Sequence, residues 1–186
     1  MIRPATTHDL CALQDIERAA GVPFAAVGMT AVAEDEPPAL DTLREFQRVG
    51  RAWVWADAAD YPIGYLVLGL VDGIAHIDQV SVRPAFAGRR IGKRLIDRAV
   101  RWAASEGMAA ITLTTFTEVA WNGPYYERLG FRYLSLEEET PGLRALRAAE
   151  HAHGLDRWPR ACMRAELAGR SMDRSERGLV ENRPRR

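Results

Sequence analysis

The chain has 186 residues, of which 47% are hydrophobic and 27% are charged, and this composition fits one globular domain with its own core. Lysine plus arginine equal aspartate plus glutamate at 25 each, so the formal net charge is zero. A balanced charge argues against a nucleic-acid or an acidic-membrane partner, because both attract strongly basic proteins.

The two cysteines, Cys11 and Cys162, lie far apart in apolar surroundings. They show no Cys/Cys or Cys/His spacing typical of a zinc site, so we expect two buried thiols and no metal. The first ten residues lack the apolar segment of a signal peptide, and the longest apolar stretch, near 63–71, is too short to cross a bilayer. We therefore expect a soluble, cytoplasmic protein.

Hydrophobic periodicity and turn residues predict an α/β order of elements. In chain order we predict a strand at 2–5, a helix capped by Thr7, a long loop at 21–38 with one helical turn, a helix at 40–49, strands at 53–55, 63–71 and 74–82, a helix at 90–105, a strand at 111–116, a helix at 121–129, a strand at 131–136, a helical or irregular segment at 138–153 and a strand at 160–167. Tight turns join the three central strands, which predicts an antiparallel meander. Residues 168–186 are charged with few apolar side chains, so we expect a flexible tail after a domain at 1–167.

The segment VSVRPAFAGRRIGK at 80–93 joins a predicted strand directly to a predicted helix. Its two glycines let a ligand approach the backbone, and the first N–H groups of a helix have no partner within the helix. A pyrophosphate suits such a position, with Arg89, Arg90 and Lys93 adding charge. A plain strand-to-helix turn with a solvated basic rim is the alternative. The segment is neither a Walker A loop nor a dinucleotide fingerprint, so ATP and NAD are poor fits.

Two motifs and the order of elements resemble the GCN5-related N-acetyltransferases (GNAT) over residues 1 to about 167. The first motif is IDQVSVRP at 77–84 followed by AGRRIG at 87–92, and the second is Tyr126 followed, after three residues, by Gly130-Phe131. The resemblance implies an α/β fold with a mixed, mostly antiparallel central sheet, flanked by helices and splayed between its fourth and fifth strands. It also implies acetyl-CoA as the co-substrate.

The loop departs from the family pattern, which is Gln or Arg, two residues, Gly, one residue, then Gly or Ala. Ala87 and Arg90 break this pattern, and because Arg90 carries a Cβ we expect ordinary helical angles there. Asn122 is expected either to cap its helix or to bind the pantetheine arm. By resemblance, the acetyl-CoA contacts are Val80, Ser81, Val82, Gly88, Arg89, Arg90, Ile91, Gly92, Lys93, Asn122 and Tyr126.

The resemblance gives Tyr126 the role of the acid that protonates the departing thiolate, and a phenol can do this. Packing of Tyr125 and Tyr126 against the sheet is the alternative. An alkylamine with a pKa near ~10.4 is mostly protonated at pH 7, so the attacking amine needs a base. His76 titrates in a useful range, and Asp78 and Glu118 are rivals for this role.

The acceptor pocket is expected to come largely from residues 21–38, where Phe24 and Met29 could admit an amine with an apolar part. We expect Glu17 and the acidic residues 34–36 on the solvated surface rather than in cation recognition.

The leading hypothesis is an acetyl-CoA-dependent N-acetyltransferase in which a small-molecule or peptide amine attacks acetyl-CoA directly. The protein is expected to act as a monomer or a homodimer. A CoA-binding module or sensor with little catalysis, and an interaction domain that has lost the ligand, are the alternatives.

Overall fold

One seven-stranded sheet with helices on both faces forms the body of the protein. The computed structural model describes residues 1–167, and the predicted tail at 168–186 lies outside them. In chain order the helices and strands are β1 (Ile2–Pro4), α1 (Leu10–Ala25), α2 (Thr30–Ala33), α3 (Leu40–Arg48), β2 (Ala52–Ala56), β3 (Pro62–Val71), β4 (Ile74–Val82), α4 (Ile91–Ser105), β5 (Ala110–Phe116), α5 (Gly123–Arg128), β6 (Arg132–Tyr133), α6 (Pro141–Ala152) and β7 (Arg160–Glu166).

The strand order across the sheet is β1-β2-β3-β4-β5-β7-β6. All neighbouring strands pair antiparallel except β4 and β5, which are parallel. The predicted meander of β2, β3 and β4 is confirmed, as is the mixed, mostly antiparallel sheet. Because β4 and β5 are parallel, their connection must cross a face of the sheet, and α4 makes that crossing.

Successive side chains of the central strands point to opposite faces of the sheet, so that a hydrophobic core forms on each face. On one face α4 packs against β2, β3 and β4, with Leu95 fully buried at its centre. On the other face α1 and α3 cover the same strands, with Leu13 and Leu43 buried. The period-2 pattern of β3 places Tyr65 and Val67 on the α1 face and the leucines between and after them on the α4 face.

Several predicted boundaries differ from the structure. In the region at 21–38, α1 extends into the predicted loop as far as Ala25, and the four-residue α2 is the helical turn predicted there. Gly21 lies where these two helices meet, and a Cβ there would lie 3.2 Å from the carbonyl oxygen of Ala33. Glycine therefore marks a helix contact at this position and not a helix end.

The first helical turn is capped by Thr6 and not by Thr7. The Asp9 carboxylate accepts hydrogen bonds from the Thr6 backbone N–H at 2.7 Å and the Thr6 hydroxyl at 2.8 Å. The expectation of two buried thiols is half wrong, because Cys11 is exposed on α1 whereas Cys162 is buried in β7. Among residues 1–167, no helix has the length and apolar character needed to cross a membrane.

The packing of α4 should dominate stability on its face of the sheet. We expect Leu95→Ala to lower the free energy of unfolding by about 2–5 kcal/mol, because it leaves a cavity under the helix. Arg101→Ala, on an exposed position of the same helix, should change it by less than about 0.5 kcal/mol. Urea denaturation measures both variants, and equal losses would contradict this assignment of the core.

Candidate active site

The parallel strands β4 and β5 part shortly after they meet. They pair only at Ala75–Ile111, His76–Thr112 and Ile77–Leu113, although β4 continues for five more residues and β5 for three. The register of β4 against β3 shifts by one residue at Asp78, which is a bulge. We call the opening between residues 78–82 and 114–116 the β4–β5 gap, and it is the predicted splay.

The antiparallel pairing of β4 with β3 decides which backbone groups face the gap. The N–H of Arg83 donates to the carbonyl of Ile63 at 2.9 Å, so by alternation Ser81 also bonds to β3. The backbone groups of Val80 and Val82 consequently point into the gap. Of the three residues expected to expose their backbone here, Ser81 does not.

The loop before α4 contains two residues in the left-handed conformation. Gly88 has φ 76° and Arg90 has φ 59°. The expectation of ordinary helical angles at Arg90 is wrong: it stands outside the helix as the N-cap residue, in a conformation that glycine adopts without strain.

Four successive backbone N–H groups at the start of α4 lack a hydrogen-bond partner among the residues that the structure describes. The N–H of Arg94 bonds to the carbonyl of Arg90 at 3.1 Å, whereas the N–H groups of residues 90–93 bond to nothing within residues 1–167. Together with the partial positive charge of a helix N-terminus, these N–H groups form a potential anion seat.

The side chains around this seat have different surroundings. The Arg89 guanidinium stacks on Phe86, 5.1 Å from the ring centre. The Lys93 ammonium bonds both carboxylate oxygens of Asp97, at 2.7 and 2.9 Å, in an exposed pair. Ile91 is buried under the helix, so only its backbone can face a ligand.

Helix α5 lies against the first turn of α4. A Cβ at Gly92 would lie 3.2 Å from the Tyr125 hydroxyl, so glycine permits this approach. The next residue, Tyr126, packs edge-on against Phe131, with ring centres 5.9 Å apart. Tyr126 is partly buried, and its hydroxyl forms no hydrogen bond with any residue in 1–167, which leaves it available to a ligand.

Burial, Glu17 and Arg160 each affect the pKa of the Tyr126 hydroxyl. Burial is the main reason that its pKa lies well above the ordinary value for tyrosine, and the Glu17 carboxylate raises that pKa further. Arg160 acts in the opposite direction. Tyr126 therefore keeps its proton at neutral pH, which is the form that a general acid needs.

Asn122 occupies the N-cap position of α5, but its side chain does not cap the helix. Its side-chain oxygen accepts a hydrogen bond from the Thr115 hydroxyl at 3.0 Å, which ties the start of α5 to the end of β5. The backbone carbonyl of Asn122 accepts the N–H groups of Tyr125 and Tyr126 instead. The helix-capping alternative is thus wrong for the side chain.

The three candidate bases lie in different places. His76 is buried in β4 with Nδ1 2.9 Å from the Thr112 hydroxyl, and burial lowers its pKa to about 4. Asp78 turns toward Gly69 on β3, on the side of β4 away from the gap. Glu118 is exposed on the loop that follows β5.

Glu17 is the site residue that the sequence did not indicate. It lies on α1, partly buried, and its carboxylate accepts three hydrogen bonds: from Gln79 Nε2 at 2.6 Å, Ser81 Oγ at 2.7 Å and the Tyr65 hydroxyl at 2.8 Å. The expectation that Glu17 is a solvated surface acid is wrong. The signal available in the sequence was the alternation of the polar Gln79 and Ser81 with the apolar Val80 and Val82 at the end of β4.

Comparison with known proteins identifies the family. Residues 14–131 match the family model described as acetyltransferase (GNAT) family. The chain belongs to the GNAT family. An acetyltransferase of the GNAT family from Staphylococcus aureus Mu50 has a similar structure, with a TM-score of 0.69 at 13% identity over 90% of this chain and 98% of that one.

Two further solved structures share the fold. The ribosomal-protein-S18-alanine N-acetyltransferase from Escherichia coli gives a TM-score of 0.63 at 18% identity, covering 92% of this chain and 97% of that chain. The PaiA N-acetyltransferase from Thermoplasma acidophilum, in complex with coenzyme A, gives 0.63 at 14% identity, covering 89% and 98%. At these identities the likeness establishes the fold.

Membership of the GNAT family explains the backbone of Arg90. The family pattern has glycine at this position, and Arg90 adopts the left-handed angles that such a glycine would adopt. The shape of the GNAT loop is therefore kept although the residue differs. The strain of a side chain in this conformation is the local penalty.

An aromatic cluster closes the α1 side of the gap near the end of β5. Phe24 contacts Phe116 and Trp121 edge-on, with ring centres 5.8 and 5.5 Å apart. Met29 and Val119 are buried in the same cluster. Residues 21–38, where we expect the acceptor pocket, thus contribute apolar side chains that pack against Phe116 at the end of β5.

The buried His76 should make stability depend on pH. Its pKa of about 4 in the folded protein lies below the ordinary 6.5, so between these values the unfolded chain binds a proton that the folded one does not. From pH 7 to 4.5 this group should remove about 2 kcal/mol of stability. Over the same pH range, the free energy of unfolding measured by urea denaturation should fall by about 2 kcal/mol less in His76→Gln than in the parent protein.

The exposed His8 provides the control. His8→Gln should keep the pH dependence of the parent protein. If His76→Gln also kept it, the neutral buried histidine would be contradicted.

Proposed function

We propose that this GNAT protein is an N-acetyltransferase that moves acetyl from acetyl-CoA to an amine by direct attack in the β4–β5 gap. The observation that carries the proposal is the Tyr126 hydroxyl, which has no partner within residues 1–167 and retains its proton at neutral pH. A small-molecule amine and a peptide amine are both acceptors of the right chemistry.

The residues present fit acetyl-CoA. The free N–H groups of residues 90–93 suit its pyrophosphate, and Arg89 and Arg90 add positive charge. The backbone groups of Val80 and Val82 suit the amides of its pantetheine arm, since an edge of unpaired N–H and C=O groups binds an extended chain as another strand would.

Bound acetyl-CoA supplies the thioester carbonyl that the amine attacks. As the new C–N bond forms and the C–S bond breaks, Tyr126 donates its proton to the departing sulfur. This contribution is worth about 10²–10⁴-fold in rate, as for general acids elsewhere.

The amine loses its proton to a base, directly or through water. Glu118 is the accessible carboxylate at the open end of the gap. His76 is neutral at pH 7, but its low pKa makes it a weak base. Asp78 points away from the gap, which makes it the poorest of the three candidates.

The first test concerns ligand binding. Acetyl-CoA and CoA should raise the melting temperature by about 5 °C or more at 100 times Kd, and ATP should not. Gly92→Trp should abolish the shift, because a Cβ at this position already lies 3.2 Å from the Tyr125 hydroxyl and an indole has to displace that side chain or crowd the N–H groups of residues 90–93. Arg101→Trp, far along the same helix, should retain it, and no shift with millimolar acetyl-CoA would overturn the proposal.

The second test separates the two tyrosines. Tyr126→Phe should lower kcat by about 10²–10⁴-fold and leave the thermal shift with acetyl-CoA intact, because only the acidic proton is lost. Tyr125→Phe, which removes the neighbouring hydroxyl, should lower kcat by less than about 5-fold. Thioester cleavage followed with a thiol reagent measures both. Acetyl-CoA binding without turnover on any amine would favour the sensor alternative.

A further inference from the structure

The carboxylate of Glu17 is held in place by three neutral groups. Gln79 donates one amide proton to Glu17 and the other to Ser81 Oγ, at 3.0 Å, while Ser81 and Tyr65 each donate their single hydroxyl proton to Glu17. Every donor proton is therefore committed, and the carboxylate acts only as an acceptor. Its position is fixed by β3 and β4 together.

Two other acids with little or moderate exposure, Asp9 and Glu150, are paired with cations, whereas the buried Glu139 forms no salt bridge with any residue in 1–167. Asp9 bonds the Arg3 guanidinium at 2.7 Å, and Glu150 bonds Arg160 at 2.7 Å. Glu17 forms no salt bridge with any residue in 1–167. A partly buried negative charge without a counter-ion is unfavourable, because neutral donors compensate its lost hydration only in part.

This uncompensated charge lies beside the β4–β5 gap. Two of its donors, Gln79 and Ser81, come after Ile77, the last β4 residue that pairs with β5. Glu17 is close enough to Tyr126 to affect the ionisation of its hydroxyl. Arg160, the cation that acts on the same hydroxyl, is neutralised by its two hydrogen bonds to Glu150.

The hydrogen bonds leave room for one more donor on one oxygen of Glu17. Oε2 accepts both hydroxyls and is saturated, whereas Oε1 accepts only Gln79. We propose that Oε1 of Glu17 binds the protonated amine of the acceptor, so that the substrate is a cationic alkylamine rather than a neutral arylamine. This rests on the proposed N-acetyltransferase function and assigns Glu17 a role in binding; the proton still leaves to another base.

The test uses a panel of alkylamines and of arylamines that are neutral at pH 7.5. The best acceptor should be an alkylamine. For it, Glu17→Gln should raise KM at least about 10-fold with kcat changed less than about 3-fold, because uniform binding is lost. Glu17→Asp, which keeps the charge on a shorter side chain, should give an intermediate KM.

Asp15→Asn is the matched control. It removes the same charge from the exposed side of the same helix, and it should leave KM for the alkylamine within 2-fold. An unchanged KM in Glu17→Gln, or acetylation of arylamines alone, would overturn the inference and leave the proposed function standing. Failure to acetylate any amine would overturn the proposed function itself.

A wild-type measurement covers the case in which Glu17→Gln does not fold. The best alkylamine is converted to its N,N-dimethyl analogue, which is protonated at pH 7.5 and keeps one N–H donor but cannot form a stable amide, and to the neutral isopropyl analogue of the same shape. The charged analogue should inhibit competitively against the amine at least about 10-fold more tightly. Equal inhibition by the two analogues would overturn the inference.

Discussion

The parting of β4 from β5 after Ile77 is the constraint on which the site depends. Parallel strands normally continue their ladder of hydrogen bonds, but here the pairing of β4 with β5 stops while β4 remains paired with β3 and β5 with β7. The unpaired backbone that results would be unfavourable in a closed core, yet at an open gap it can bind an extended ligand. Because the strands part, side chains from both faces of the sheet come close together at the gap: Tyr126 from the α4 side and Glu17 from the α1 side.

The second requirement is a fixed start for α4. Buried residues along this helix, including Ile91 in its first turn and Leu95, hold it against the sheet. The left-handed Arg90 ends the loop abruptly, and the N–H groups of residues 91–93 that follow it bond to nothing within residues 1–167. The same packing that stabilises the domain therefore aims the anion seat, and α5 completes that seat by lying against Gly92.

Glu17 differs from two structural acids of the fold in the kind of group that binds its carboxylate. Asp9 and Glu150 join elements through arginine partners, and their charges are satisfied within the fold. Glu17 has the same degree of structural support, but from neutral donors only. A site built in this way keeps a net negative charge where an amine would enter, and the neighbouring aromatic cluster of Phe24, Phe116 and Trp121 provides an apolar wall.

The sequence by itself determined the class of fold, the meander, the family and the motif residues around Tyr126 and the α4 loop. These follow from local signals: period-2 and period-3.6 apolar patterns, turn residues and a contiguous motif. The tertiary structure alone decided the left-handed angles of Arg90, the backbone direction of Ser81 and the hydrogen bonds of Glu17. The last two depend on partners distant in the chain: Ser81 pairs with β3, and Glu17 meets Tyr65, Gln79 and Ser81 only once α1 lies across β3 and β4. An isolated glutamate on an amphipathic helix looks like surface until the strands beneath it are in place.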